Sequence, residues 1–285
     1  MIILGIDTTT LSCSVALLRE DSVLAEMTLN IKKTHSERLM PLLDRMLTES
    51  GIEREALDAI AAAAGPGSFT GLRIGVSTAR ALAQALQIPA VPVCTLAALA
   101  AAIPVPGALV CPLLDARRNQ VYTALYRIGG AASDTQFQTC TPPGPGHHPE
   151  ALVTESPAKQ KPETPARTRQ VETIAIPAPH QTLLEPTAIA ISELIENLVT
   201  YQEPVIFTGE GLQSHAAFIQ AGLPSAQAVI TPAPFRHCRA ALVAQLGRQI
   251  LTEEQPAGYE TLLPIYLRRP EAERLAAKKQ GGHRQ

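Results

Sequence analysis

The strongest constraint on the fold is an apolar run that leads through a glycine-rich turn into a helical pattern. Residues 59–64 are only alanine and isoleucine, and the turn at 65–71 reads GPGSFTG. Residues 72–86 then carry apolar side chains at helical spacing, and Pro89 follows. This pattern predicts a buried strand, a tight turn and a helix, which is a building unit of α/β folds.

A glycine turn between a strand and a helix is also the geometry of a phosphate-binding loop. This turn lacks the Gly-Lys-Ser/Thr of a Walker A loop, and no acidic residue between Asp58 and Asp115 is placed to hold a ribose. A nucleophile elbow at Ser68 would need glycine where Pro66 and Thr70 stand. We therefore expect the glycines to permit a tight turn and Ser68 or Thr70 to cap the helix.

The strand, turn and strand pattern occurs twice along the chain. Apolar runs at 2–6, 13–18 and 23–29 predict antiparallel strands, and residues 35–50 predict a helix. Residues 108–114 and 121–126 repeat the opening pattern around an Asp-containing turn. We predict two duplicated lobes, at 1–103 and 104–267, followed by a basic tail at 268–285 that is solvated or contacts phosphate.

A proline-rich stretch interrupts the second lobe. Residues 141–186 contain ten prolines and little periodic apolar patterning, so we expect a flexible insertion there. The pattern resumes with a predicted helix at 187–199, a strand at 204–207 and a helix within 234–251.

Charge and cysteine content exclude several classes of protein. Lys and Arg total 24 against 26 Asp and Glu, so the whole surface does not attract nucleic acid, and any RNA contact is local or made by a partner. Five cysteines without a C-x-x-C pair argue against a disulfide framework or a zinc site and fit a reducing cytoplasm. We expect no signal peptide, and prolines divide the uncharged stretch 81–114 into pieces too short to span a membrane.

Four segments together resemble the TsaB (YeaZ) family of tRNA threonylcarbamoyladenosine biosynthesis proteins. They are GIDTT at 5–9, HSERL at 35–39, GPGSFTGLRIG at 65–75 and YLRRPEAE at 266–273. The similarity covers residues 1 to about 127 and returns after about residue 204. Asn119-Gln120 departs from the Gly-Glu that is more frequent in the family, and the proline-rich insertion is unusual for it.

The resemblance implies an actin-like ATPase (ASKHA) fold of two duplicated lobes with mixed sheets flanked by helices. It also implies a cytoplasmic, noncatalytic subunit that activates the catalytic paralogue TsaD. Together with the ATPase TsaE, this pair would transfer a threonylcarbamoyl group from its adenylate to the adenosine 3′ of the anticodon. In that arrangement tRNA is bound through the complex, and a homodimer in the absence of TsaD is left open.

The residues themselves favour a role without catalysis, cofactor or metal. The resemblance implies paired metal-binding histidines in TsaD, whereas here Leu39 stands four positions after His35. The turns after Asp7 and Asp115 lack the glycine that lets a backbone approach phosphates, so we expect Asp7 to accept loop amides instead of binding magnesium. The alternatives are a stand-alone ATPase or phosphotransferase, which needs those glycines, and a metallopeptidase, which needs a histidine pair with a carboxylate.

The outer face of the second helix predicts the partner surface. It carries small, nearly uncharged side chains, which allow another helix to approach closely. We expect this helix and the 35–50 helix to pair with the equivalent helices of TsaD; the alternative is burial under the second lobe. The predicted contact residues are His35, Arg38, Met46, Arg73, Ile74, Ser77, Thr78, Ala81 and Ala85.

Overall fold

Two five-stranded mixed sheets form the framework of the protein. A computed structural model describes residues 1–31, 34–129, 179–253 and 258–268. The first sheet has the strand order β3-β2-β1-β4-β5. Its strands are β1 (Ile2–Asp7), β2 (Cys13–Arg19), β3 (Ser22–Leu29), β4 (Ala59–Gly65) and β5 (Ala90–Cys94).

The second sheet has the order β10-β9-β6-β7-β8. Its strands are β6 (Leu109–Asp115), β7 (Gln120–Ile128), β8 (Pro179–Ala190), β9 (Val205–Thr208) and β10 (Ala228–Ile230). The helices in chain order are α1 (His35–Ser50), α2 (Phe69–Leu86), α3 (Thr95–Ala101), α4 (Ile191–Val199), α5 (Leu212–Gly222) and α6 (Ala240–Glu253).

The two sheets have one topology. In each, the first strand of the lobe lies at the centre, with two antiparallel strands on one side and two parallel strands on the other. This repetition confirms the predicted α/β fold of two duplicated lobes with mixed sheets.

Helices cover both faces of both sheets, which gives five layers. Helices α1 and α2 cover the outer face of the first sheet, and α4 and α5 cover that of the second. Helix α6 packs on the inner face of the first sheet, while α3 contacts the second sheet. The alanines of β4 alternate between the outer and inner cores, because successive strand residues point to opposite faces.

The C-terminal part of the predicted second lobe packs on the first. Helix α6 contacts β1, β2, β4 and β5. Beyond it, the backbone N–H of Ile265 donates to the carbonyl of Ala64 at 2.7 Å, and Leu262 is buried in the core beneath α1 and α2. The chain therefore crosses between the lobes after β10, which places residues 262–268 beside the glycine turn.

The structure corrects the predicted boundary of the insertion. Residues 179–186 belong to β8, which pairs antiparallel with β7 from Gln120↔Ala190 to Ile128↔Pro179. As a result, α4 begins at Ile191, not at residue 187. Pro186 is tolerated because β8 lies at the edge of its sheet, where one ladder is absent. Residues 141–178 of the predicted insertion and 269–285 of the predicted tail lie outside the described residues.

No helix in the described ranges has both the length and the apolar character needed to cross a membrane.

Candidate functional site

The glycine turn after β4 is occupied by the chain's own backbone. The Ser68 side chain accepts a hydrogen bond from the N–H of Gly71 at 3.3 Å, which confirms the predicted cap of α2. The backbone N–H of Ser68 donates to the carbonyl of Thr9 at 2.7 Å, and the Thr8 hydroxyl donates to the carbonyl of Gly71 at 2.7 Å. The turn after β1 therefore takes the place beside α2 that a phosphate takes in a phosphate-binding loop.

Two glycines of the motif lie too close to Thr8 to carry a side chain. A Cβ atom at Gly71 would collide with the carbonyl oxygen of Thr8, and one at Gly75 would collide with the Thr8 hydroxyl. These two glycines therefore allow the turn after β1 to pack closely on α2, a role beyond the tight turn that the sequence predicted.

Asp7, the last residue of β1, is completely buried. One carboxylate oxygen accepts hydrogen bonds from both the backbone N–H (3.0 Å) and the hydroxyl (2.6 Å) of Thr9. Burial raises the pKa of Asp7 to about 6, and the hydrogen bonds from Thr9 oppose that rise. Asp7 thus accepts a loop amide, as expected, and orders the turn that closes against α2.

His35 uses both ring nitrogens within the protein. Its Nε2 donates to the carbonyl of Thr10 at 2.8 Å, and its Nδ1 accepts from Arg38 at 3.4 Å. Burial lowers the pKa of His35, in accord with a neutral ring in this tautomer. The imidazole therefore links the start of α1 to the turn after β1. Within the described ranges, no three His, Cys, Asp or Glu side chains cluster as a metal-binding group.

The turn between β6 and β7 carries two arginines in an unusual conformation. Arg117, Arg118 and Asn119 all have positive φ angles, of 63°, 56° and 58°. Asparagine adopts this left-handed conformation comparatively readily, but at each of the two arginines it costs roughly 1–2 kcal/mol. The carboxylate of Asp115 accepts the N–H of Arg117 at 2.6 Å, and this hydrogen bond helps to hold the turn.

These elements enclose a cleft of about 990 Å³ between the lobes. Its walls are the turn after β1, the glycine turn, the β6–β7 turn and the segment 265–268. Arg268 crosses from the first lobe and donates to the carbonyl of Ala116 at 2.7 Å. The sequence motifs did not single out this cleft as a site, although the adjacent pair Arg117-Arg118 was visible in the sequence.

An aromatic and guanidinium cluster stands at the mouth of the cleft. The rings of Phe69 and Tyr266 are 5.2 Å apart between centroids, at an interplanar angle of 33°. The guanidinium of Arg73 lies 4.1 Å above the Phe69 ring and donates to the Tyr266 hydroxyl at 3.2 Å. This contact joins α2 to the C-terminal segment.

The predicted partner surface is only partly at the surface. Ala81 and its neighbours on α2 are exposed, and α2 packs mainly on β4, so the alternative of burial under the second lobe is wrong. For two residues of α1, the prediction that they lie on the partner surface is wrong. Met46 faces β-strands and is fully buried, while Arg38 is 5% exposed because its guanidinium donates to carbonyls of the neighbouring loops. The remaining predicted contacts are His35, Ile74 and Thr78, which are half-buried, and Arg73, Ser77, Ala81 and Ala85, which are exposed.

Known proteins resemble this chain in sequence and in fold. TsaB of Bacillus subtilis, a tRNA threonylcarbamoyladenosine biosynthesis protein, is 42% identical over 127 residues, which are 45% of this chain and 56% of the relative. TsaB of Escherichia coli is 41% identical over 129 residues, which are 45% of this chain and 55% of that relative. The chain thus spans about half the length of the curated relatives it matches. The solved structure of YeaZ from Pseudomonas aeruginosa is 24% identical, with a TM-score of 0.62 over 93% of this chain and 99% of that one.

These relatives confirm the resemblance to TsaB (YeaZ) proteins that the four sequence motifs predicted. The family model that matches is described as TsaD, tRNA N6-adenosine threonylcarbamoyltransferase, and it covers residues 22–276. The chain therefore belongs to the TsaD family.

Proposed function

We propose that the chain is a noncatalytic subunit of a tRNA threonylcarbamoyltransferase complex and acts by binding the catalytic paralogue TsaD. The names of its relatives support a role in making threonylcarbamoyladenosine. The observation that carries the noncatalytic part is the occupied glycine turn. The amide of Ser68 that would face a phosphate is bound to Thr9, and the Thr8 side chain is directed at Gly71 and Gly75.

The partner surface of this proposal is the exposed face of α2. Ser77, Ala81 and Ala85 lie on it, and these short side chains let another helix approach closely. TsaD is the proposed occupant because one family model describes both chains, so TsaD presents equivalent helices on the same fold. TsaE is proposed to join this pair, and self-association through the same face is the alternative in the absence of TsaD.

Reconstitution tests the function. Transfer of threonylcarbamoyl to tRNA is measured with TsaD, TsaE and the enzyme that makes the adenylate, with and without this chain. We expect transfer to depend on the chain, and the chain alone to transfer nothing. Transfer that proceeds equally well without it would reject the proposed role.

The docking face is tested separately by Ala81→Glu. An unpaired carboxylate in a desolvated helix contact should weaken association with TsaD by about 3–5 kcal/mol. Ala217→Glu is the matched control, since Ala217 is an exposed alanine on α5 of the other lobe. Co-elution with TsaD on size exclusion should be lost for the first variant and kept for the second. Equal co-elution of both variants would place the contact elsewhere.

A further inference from the structure

We propose that the groove at the mouth of the interlobe cleft binds an unpaired stretch of the tRNA directly. The inference rests on the proposed function, which makes tRNA the substrate of the complex. It adds a contact made by this chain's own side chains, in a protein whose overall charge of −2 gives no bulk attraction for RNA.

The groove consists of two adjoining cavities. The interlobe cleft of about 990 Å³ and a second cavity of about 600 Å³ share Arg118, Ser214 and Arg268 in their walls. The second cavity continues to the start of α4 and to Phe218, which is 50% exposed. Pockets for single small ligands measure about 300–1,000 Å³, so the two cavities together offer more room than one nucleotide needs.

The groove carries a net positive charge, because its walls hold four arginines, at 73, 117, 118 and 268, against two carboxylates, Asp115 and Glu210, both of which are already hydrogen-bonded within the protein. Glu210 accepts from His237 Nδ1 at 3.0 Å and from the backbone N–H of Leu11 at 3.2 Å, and Asp115 accepts from the backbone of Arg117. In contrast, the guanidinium groups of Arg73, Arg117 and Arg268 form no salt bridge with any residue in the described ranges. A guanidinium group that has no carboxylate partner can donate two parallel hydrogen bonds to the oxygens of a phosphate.

Aromatic rings lie beside these charges. The Phe69 ring is 39% exposed in its cluster with Tyr266 and Arg73, and Phe218 is exposed in the second cavity. Single-stranded RNA is bound by stacking of its bases on aromatic rings or guanidinium planes while basic side chains follow the backbone. Phosphate-binding and stacking groups in one open groove therefore fit an unpaired strand.

Fluorescence anisotropy of the full chain with a labelled, unstructured RNA of about 12 nucleotides tests the inference. The wild type should bind saturably, with an affinity that falls as salt rises from about 50 to about 200 mM. Arg117→Glu should lower the affinity about tenfold and reduce the salt slope by about one, because one phosphate contact is lost. Phe69→Leu, which keeps an apolar side chain but removes the ring, should lower it by roughly fivefold or more with little change in slope.

Arg54→Glu is the matched control for charge. Arg54 is exposed and lies just before the start of β4, whereas the glycine turn follows the other end of that strand. It should bind RNA within about twofold of the wild type, since it changes only long-range charge that salt screens. Arg117→Gln repeats the test if the glutamate variant melts at a lower temperature. The proposal is overturned if the wild type does not bind, if the Arg117 variants bind as the control does, or if AMP displaces the RNA at equal concentration.

The assay contains no TsaD and no transfer step. A chain that activates transfer without binding RNA would reject this inference and leave the proposed function standing. A chain that binds RNA in the groove without activating transfer would reject the proposed function alone.

Discussion

The Thr8 hydroxyl donates a 2.7 Å hydrogen bond to the backbone carbonyl of Gly71. This bond joins the turn after β1 to the first turn of α2. Both partners are buried, so the contact forms inside the folded lobe and excludes water.

Gly71→Ala should destabilise the protein by about 1–3 kcal/mol, because the new methyl group overlaps the Thr8 carbonyl. Helix propensity alone would predict the opposite sign, since alanine is favoured over glycine within a helix. Denaturant unfolding measures the change. Ser77→Ala, at an exposed position of the same helix, is the control and should change the free energy of unfolding by less than about 0.5 kcal/mol.

Asp7 should make the protein less stable as the pH rises. Its pKa is about 6 in the folded chain, against the ordinary value of 3.8. Between these values the folded chain holds a proton that the unfolded chain has lost, so the contribution of Asp7 to the free energy of unfolding falls with rising pH. Asp7→Asn removes this effect and should stabilise the protein at about pH 8 by up to about 3 kcal/mol, with little difference at about pH 4.

The test for Asp7 is the difference between variant and wild type in denaturant unfolding at several pH values. Asp44→Asn, at an exposed position of α1, is the control and should shift stability by less than about 0.5 kcal/mol at each pH. A difference at Asp7 that is constant from about pH 4 to about pH 8 would contradict the proposed origin of its pKa.

Local patterns predicted most elements of the fold. The strand at 59–64, its glycine turn and the Ser68 cap follow from neighbouring residues, and the structure confirms each of them. The duplication was visible because each lobe opens with a strand, a polar turn and a second strand. These features depend on contacts within about thirty residues of the chain.

Sequence patterns do not reveal features that depend on contacts between residues far apart in the chain. Residues 179–186 form a strand because β7 offers a free edge, which the proline content of the segment does not reveal. The helical pattern does not reveal that Met46 packs against the sheet. Nor does it reveal that the Arg38 guanidinium donates to the carbonyl of Leu11, between β1 and β2, and to that of Leu29, the last residue of β3. The groove was missed because Arg117 and Tyr266 meet only after the chain crosses between the lobes.

The isolated chain should bind magnesium ATP more weakly than about 1 mM, because the Ser68 amide and the Gly71 carbonyl are bonded to the turn after β1. Titration calorimetry checks this. A micromolar, magnesium-dependent site would show that this turn opens and would favour the alternative of a stand-alone ATPase.

Removing residues 142–177 should leave the fold intact. The ends of β7 and β8 are neighbours, since Ile128 pairs with Pro179, and antiparallel strands about 5 Å apart need only a short connection. Closing a shorter loop costs less chain entropy, so the deletion should stabilise the protein by about 1 kcal/mol. Thermal unfolding measures the change, with an expected rise of roughly 2–4 °C.

The matched control removes residues 142–186, which takes away the first part of β8. Leu183 and Leu184 pack against the outer core of the second lobe, and Leu184 pairs with Leu125 of β7. Losing both the strand pairing and this apolar contact should cost several kcal/mol, because each half-buried leucine contributes part of the roughly 1.5–3 kcal/mol of a fully buried one and the ladder hydrogen bonds are lost as well. The larger deletion should therefore melt well below the full chain or fail to fold. If the smaller deletion unfolds at the same low temperature as the larger one, the prediction is wrong. The removed segment would then stabilise the fold, and a short connection between β7 and β8 could not replace it.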